Sequence, residues 1–235
     1  MTEPTTSTLT STPEDDLAAA LAEAAEPVGA AELAAHLAAR MCHDYISPAG
    51  AIISGLDLLE DPSAQDMREE AMNLIAASAK KLVDHLAFDR VALGSSSAAE
   101  TFDTRALEKL AQGVFAHGRA QLVWAVEAPS LPKPAARALL NLAQVGLGAL
   151  PTGGVATVTT TVEGDQALLA VVCKGARARL RPVVIDGLEG RRLGEGLAGL
   201  WVQAYYLRQI IDSVGGSLEF EVGEEQVTLK AILTV

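Results

Sequence analysis

The residues of this chain best suited to chemistry are His43 and Asp44, adjacent in the run His43-Asp44-Tyr45-Ile46-Ser47-Pro48 inside an Ala/Leu-rich stretch with a helical pattern. A neutral imidazole carries one bare nitrogen and one N–H, and the partner of the N–H decides which nitrogen can attack. Asp44 is close enough to accept that hydrogen bond, which makes the other nitrogen the better nucleophile. Pro48 lacks the N–H that would bond the carbonyl of Asp44, so the helix should bend or loosen beside the histidine and ease a partner's approach. The arrangement presents an imidazole nucleophile on a helix surface, suited to phosphoryl transfer. A helical histidine alone is ordinarily a solvated or packed side chain; the adjacent acid and the proline set this one apart. Arg40 falls on the same face one turn earlier, where it can neutralise phosphoryl oxygens or bind an acidic rim. A solvated side chain, or an ion pair with Glu60 or another acid, accounts for Arg40 equally well.

The remaining histidines and the thiols are weaker candidates. His36 lies seven residues before His43 but lacks the acid and the proline, and His85 has no following proline. His117 precedes Gly118 at an expected helix end, where a capping role suffices. Cys42 and Cys173 lack metal-ligand spacing and are expected to be free buried thiols in a reducing compartment. A Cys42-His43 nucleophile pair is disfavoured because adjacent helical residues point in different directions.

These residues need elements to hold them. With 235 residues, 49% of them hydrophobic and 20% charged, the chain can bury a sizeable core and is expected to form two modest domains. The apolar stretch from Leu131 to Leu150 is interrupted by Lys133, Arg137, Asn141 and Gln144, so no membrane span is expected. No basic region followed by an apolar one opens the chain, and a cytoplasmic location is expected. A net charge of -12 argues against a nucleic-acid surface, which would need a basic stripe. Residues 1–27 hold six acidic residues and no Lys or Arg, and read as a disordered acidic tail with a short Ala-rich helical piece.

From Val28 to about Glu60 the pattern is helical, and Asp61-Pro62-Ser63 ends it. A second helix is expected from about Ala64 to Leu93, with Met67, Ala71, Leu74, Ser78 and Leu82 near a heptad seam. Residues 28–94 thus form an antiparallel hairpin, which can enclose its apolar faces by pairing with a second copy in a four-helix bundle. The alternative is a hairpin packed on its own C-terminal domain. Residues 95–101, opening on three serines after Gly94, read as a linker. Across 102–235, helices near Asp103–Ala116, Lys133–Leu147 and Glu195–Val214 mix with strands at Gln121–Val126, Val155–Val162, Ala167–Cys173, Ser217–Val222 and Gln226–Val235. The fold class is α+β, a sheet covered on one face by helices.

Residues 28–235 resemble a sensor histidine kinase core: a dimerising hairpin carrying the His-Asp-x-x-x-Pro box, then an ATPase-like domain. The second half departs from that pattern where nucleotide chemistry is done. Of two asparagines four apart that hold magnesium and phosphates in such kinases, Asn141 survives and Val145 replaces the other. The Asp-x-Gly-x-Gly pattern, whose carboxylate reads adenine, falls on Cys173-Lys174-Gly175-Ala176-Arg177, where Gly175 alone matches. The glycines of the 194–200 segment keep the look of a kinase glycine box, although structural turns explain them adequately.

An intact phosphoacceptor box beside an eroded ATPase domain resembles the ChpT-type histidine phosphotransferases of alphaproteobacterial cell-cycle phosphorelays, most closely over Arg40 to Ile52. The resemblance implies a homodimeric shuttle in which His43 takes a phosphoryl group from the receiver domain of a CckA-like hybrid histidine kinase. It then passes the group to the receiver of a CtrA-like response regulator. The chain would bind no cofactor, the Mg2+ sitting on the partner receiver, with His43, Asp44 and Arg40 as the catalytic set. An ATP-dependent histidine kinase is disfavoured by the missing asparagine and carboxylate. A non-catalytic dimeric adaptor would leave His43-Asp44 unexplained.

Overall fold

The computed structural model describes residues 27–94, 100–194 and 196–234. The expected acidic tail, apart from Pro27, and the serine run of the linker lie outside the described residues. The hairpin is built from α1 (Ala30–Glu60), a 3-10 turn (Pro62–Met67) and α2 (Arg68–Ala92). The second helix starts at Arg68 rather than Ala64. Asp61 accepts hydrogen bonds from the amide and the hydroxyl of Ser63, both at 2.7 Å, and Ala64 is non-helical at φ -111°. Pro48 lies buried inside α1, and the helix continues through it to Glu60. Gly55 allows the helices to close, since a Cβ there would lie 2.6 Å from Ile75 Cγ1.

The second half follows as β1 (Thr101–Asp103), α3 (Thr104–Phe115), β2 (Ala120–Val126), β3 (Ser130–Pro132), α4 (Lys133–Gly148), β4 (Gly154–Glu163), β5 (Gln166–Lys174), α5 (Pro182–Leu188), α6 (Ala198–Asp212), β6 (Ser217–Gly223) and β7 (Gln226–Thr234). The main sheet has five strands in the order β2-β4-β5-β7-β6, parallel only between β2 and β4. Period-two alternation puts Ala156 and Val158, Leu169 and Val171, and Leu229 and Ala231 into a core shared with Leu107, Leu139, Leu142 and Leu207 of the helices. The α+β class and the one-sided sandwich are as the sequence predicts. Three elements are additional: β1 and β3, which pair with each other, and α5. Thr101, assigned to the linker from sequence, is already paired with Pro132. Among the described residues no helix is long and apolar enough to cross a membrane.

The hairpin packs on its own C-terminal domain, the arrangement posed above as the alternative to dimerisation. At the start of α1, Val28, Leu33 and Leu37 lie against Trp201, Val202 and Tyr205 of α6. The Val28 amide donates to the Tyr205 hydroxyl at 3.0 Å, and Arg192 pairs with Glu32 at 2.9 Å. At the end of α2 the Ala92 carbonyl accepts from Asn141 Nδ2 at 2.9 Å, and the Leu93 carbonyl accepts from the Tyr206 hydroxyl at 3.0 Å and Arg137 Nη2 at 3.3 Å. Between them, Asp84 of α2 accepts from Lys80 and from His117 Nε2, each at 2.8 Å. His117 therefore bridges to α2 instead of capping α3, and its ring stacks with His85 at 6.1 Å between centroids. A strip of the hairpin still faces outward with Ile53, Leu56, Met72, Leu74 and Val83 exposed.

Two expectations follow from this docking. Asn141→Ala strands the buried Ala92 carbonyl and the Gln203 amide that donates to Asn141, and should lower unfolding free energy by about 2–3 kcal/mol in urea. An effect within error would show that the tether does not hold the domains. Acid should loosen the same interface through two groups. Burial lowers the His85 pKa below its ordinary 6.5, so the unfolded chain binds more protons between that value and the folded one, and stability falls as pH drops through this window. Burial opposes the charge of Asp84, but hydrogen bonds from Lys80 and His117 outweigh it and hold the carboxyl below its usual range. Its contribution, present above the unfolded pKa, is lost at lower pH as the folded pKa is passed. The thermal midpoint should fall between pH 7.5 and 5.5, and His85→Gln should flatten that part of the curve.

Candidate functional site

His43 projects from the middle of α1, where its side chain is 87% exposed. Its Nδ1 lies 3.1 Å from Asp44 Oδ1. A carboxylate can only accept, so Nδ1 carries the proton and Nε2 presents its lone pair to solvent. The sequence pairing of His43 with Asp44 is thus realised in space, with the outer nitrogen left unprotonated.

Arg40 makes an ion pair with an acid, one of the two roles expected for it, and the acid is Asp44. It neither points freely at His43 nor pairs with Glu60. Its Nε lies 3.5 Å from Asp44 Oδ2, and its Nη1 donates to the carbonyl of Gly199 in the first turn of α6. Tyr45, one residue past Asp44, donates to Asp89 Oδ2 of α2 at 2.7 Å. Burial raises the Tyr45 pKa, helped by that bond, and also raises the pKa of the Asp89 carboxyl.

The side of His43 that faces the C-terminal domain opens on a cleft of about 540 Å³. Its lining includes Arg40, Asp44, Lys81, His85, Arg179 and Arg181, over an apolar floor that contains Val145, Leu180, Val184 and Leu200. Among the described residues, Lys81, Arg179 and Arg181 have no ion-pair partner. Sequence reasoning missed these three cations. The one available signal was the alternation Arg177-Ala178-Arg179-Leu180-Arg181, in which Ala178 and Leu180 are buried and the arginines exposed.

His36 does not join this site, because its ring packs edge-on against Trp201 with centroids 5.3 Å apart. Of the thiols, Cys173 is buried as expected and Cys42 is exposed, which corrects the expectation for the latter. Burial pushes the Cys173 thiol up to about 12. The side chain donates to the Gly146 carbonyl at 3.4 Å and lies flush under α4, where a Cβ on Gly146 would come within 2.9 Å of its sulfur. Asn141 is fully buried, with its carboxamide engaged by Ala92, Arg137 and Gln203. Asn141 and Cys173 are therefore taken up by packing.

Known proteins resemble this chain along most of its length. Residues 104–226 match the family model of the histidine phosphotransferase C-terminal domain. The chain is 32% identical over 205 residues to the protein phosphotransferase ChpT of Brucella abortus (strain 2308), covering 87% of this chain and 97% of that one. A solved structure described as a bacterial phosphotransferase superposes with a TM-score of 0.78 at 30% identity, covering 88% of this chain and 98% of that one. With a family model matched over residues 104–226 and a relative matched along nearly the whole length, the chain belongs to the histidine phosphotransferase family.

Proposed function

We propose that this chain carries phosphoryl groups between receiver domains, with His43 as the transient carrier. The observation that supports this most is the exposed imidazole with Nδ1 held by Asp44, which leaves Nε2 free to attack. The Nε2 lone pair forms a bond to phosphorus as the bond between phosphorus and the donor's aspartyl oxygen breaks, restoring that carboxylate. The imidazole becomes cationic on transfer, and its Nδ1–H stays bonded to Asp44, which stabilises the charge. Reversal onto the aspartate of a second receiver completes the relay. Such transfers pass through a loose transition state governed by positioning and charge neutralisation. The receiver brings its own Mg2+, and this chain contributes the nucleophile and a docking face.

The unpaired Lys81, Arg179 and Arg181 suit the acidic active site of a receiver, and in a chain of net charge -12 they stand out from their surroundings. Exposed Ile46 and Ile53 on the face around the histidine supply apolar contact area for a receiver or a second copy. The outward apolar strip of the hairpin supports a homodimer. By resemblance, the donor is a CckA-like hybrid kinase and the acceptor a CtrA-like regulator, in the cytoplasm. ATP takes no part in this scheme. The thiol of Cys173 is a poor acceptor for an adenine amino group, and Val145 offers no hard oxygen donor to magnesium.

His43→Gln should abolish acid-labile labelling from a phosphorylated receiver while the dimer persists in light scattering, because an exposed side chain contributes little to the core. Label remaining on that variant would refute the assignment, and a wild-type monomer at micromolar concentration would refute the dimer. Titration with Mg-ATP at about millimolar concentration should give no saturable heat. Labelled ATP alone should leave His43 unmodified; autophosphorylation would instead favour an ATP-dependent kinase.

A further inference from the structure

We propose that Arg40 is a positioning residue through which the C-terminal domain fixes the carboxylate that polarises His43; this deepens, and rests on, the phosphotransfer role of His43. Asp44 has two oxygens with separate partners. Oδ1 faces His43 Nδ1 at 3.1 Å, and Oδ2 faces Arg40 Nε at 3.5 Å. Arg40 is in turn anchored outside the hairpin, because its Nη1 donates to the Gly199 carbonyl of α6. A carbonyl has two lone pairs, so one in the first turn of a helix can serve its own ladder and still accept from a guanidinium.

An exposed ion pair four residues apart on a helix would contribute little. This one differs in setting. The side chains of Arg40 and Asp44 are only 15% and 22% exposed, under the edge of α6, where solvent screening is weaker. The guanidinium is planar and carries its donors in a fixed fork, so anchoring one end at Gly199 sets the direction of the other toward Asp44. The position of α6 is fixed independently by Leu33 and Leu37 packed with Trp201 and Tyr205. Other charged or titratable groups on this side are Lys81, His85, His117, Arg179 and Arg181 around the cleft and Asp89 behind Tyr45, none of which makes a hydrogen bond to Asp44.

The chain of contacts therefore runs from α6 through Arg40 and Asp44 to His43. Moving α6 away from α1 withdraws Arg40, frees the Asp44 carboxylate to turn toward solvent, and removes the acceptor that keeps the proton on Nδ1. Nε2 then carries the proton part of the time and cannot attack. The C-terminal domain thereby controls the reactivity of a histidine that sits on a different element.

The test uses the full chain with 15N-labelled histidine rings and reads the tautomer of His43 directly, without any receiver. The His43 signals are identified by their loss in His43→Gln. Wild type should show the Nδ1–H form predominating; Arg40→Ala should give mixed tautomers. Arg40→Ala should also slow single-turnover transfer roughly tenfold at saturating receiver, with Arg40→Lys intermediate. Leu37→Ala, which leaves Arg40 in place but loosens the α1–α6 contact, should shift the tautomer in the same direction and decides the matter if Arg40→Ala does not fold. An unchanged tautomer in a folded Arg40→Ala, with the loss confined to receiver affinity, would make Arg40 a docking residue and overturn the proposal. An unchanged tautomer in Leu37→Ala would equally overturn control by the domain. Failure of the underlying transfer role would appear separately, as label on His43→Gln.

Discussion

The end of α2 sets the geometry on which the rest depends. A helix leaves its last carbonyls without intrahelical partners, and a buried end must find donors elsewhere. Here the carbonyls of Ala92 and Leu93 are met by Asn141, Arg137 and Tyr206 from α4 and α6. Donors on two helices that converge on adjacent carbonyls fix where the hairpin leaves the C-terminal domain and at what angle. That angle brings α1 down onto α6, closes one wall of the cleft with Lys81 and His85, and leaves His43 at its mouth.

The same contacts occupy the positions that the sequence resemblance matches to nucleotide-binding residues of histidine kinases. Asn141, which that resemblance matches to a magnesium-holding asparagine, has an amide that serves here as a structural donor. Cys173, at the place of an adenine-reading carboxylate, lies in the sheet with α4 resting on it through Gly146. A small apolar thiol permits that close approach, whereas a buried unpaired carboxylate would carry a desolvation cost of several kcal/mol. Packing and nucleotide recognition are thus competing uses of the same positions.

Legibility in the sequence follows the range of the interactions concerned. The His43–Asp44 bond is local, set by adjacent residues, and could be read directly. The long helices and the alternating strands announce themselves through periodicity. The short β1–β3 pair could not be read, because three-residue strands carry no period and form only through their partner across α3. Helix α5 was hidden for a related reason. Its register depends on Gly187, where a Cβ would come within 2.6 Å of the Trp201 carbonyl, a fact about α6 rather than about residues 182–188. The setting of Arg40 was half legible: its spacing from His43 and an ion pair with an acid could be expected, but its bond to Gly199 spans 159 residues. The cationic cleft required the fold, since Lys81 and Arg179 meet only after docking.

The docking of the hairpin on the C-terminal domain also bears on the proposed carrier role in physical terms. A kinase that phosphorylates its own histidine must bring a nucleotide-bearing domain up to that residue and then withdraw it, which requires an interface that opens cheaply. The interface here holds buried polar bonds at one end of the hairpin and a packed Trp201–Tyr205 cluster at the other. Each buried bond broken without replacement costs about 1–3 kcal/mol, so opening both ends together is strongly disfavoured. What remains accessible is the outer face of α1, where Nε2 of His43 meets whatever arrives from solution. Displacing one end alone, α6 from α1, breaks fewer of these contacts, and while that end stays docked Arg40 keeps its place beside Asp44 and His43 stays presented on the open face of α1.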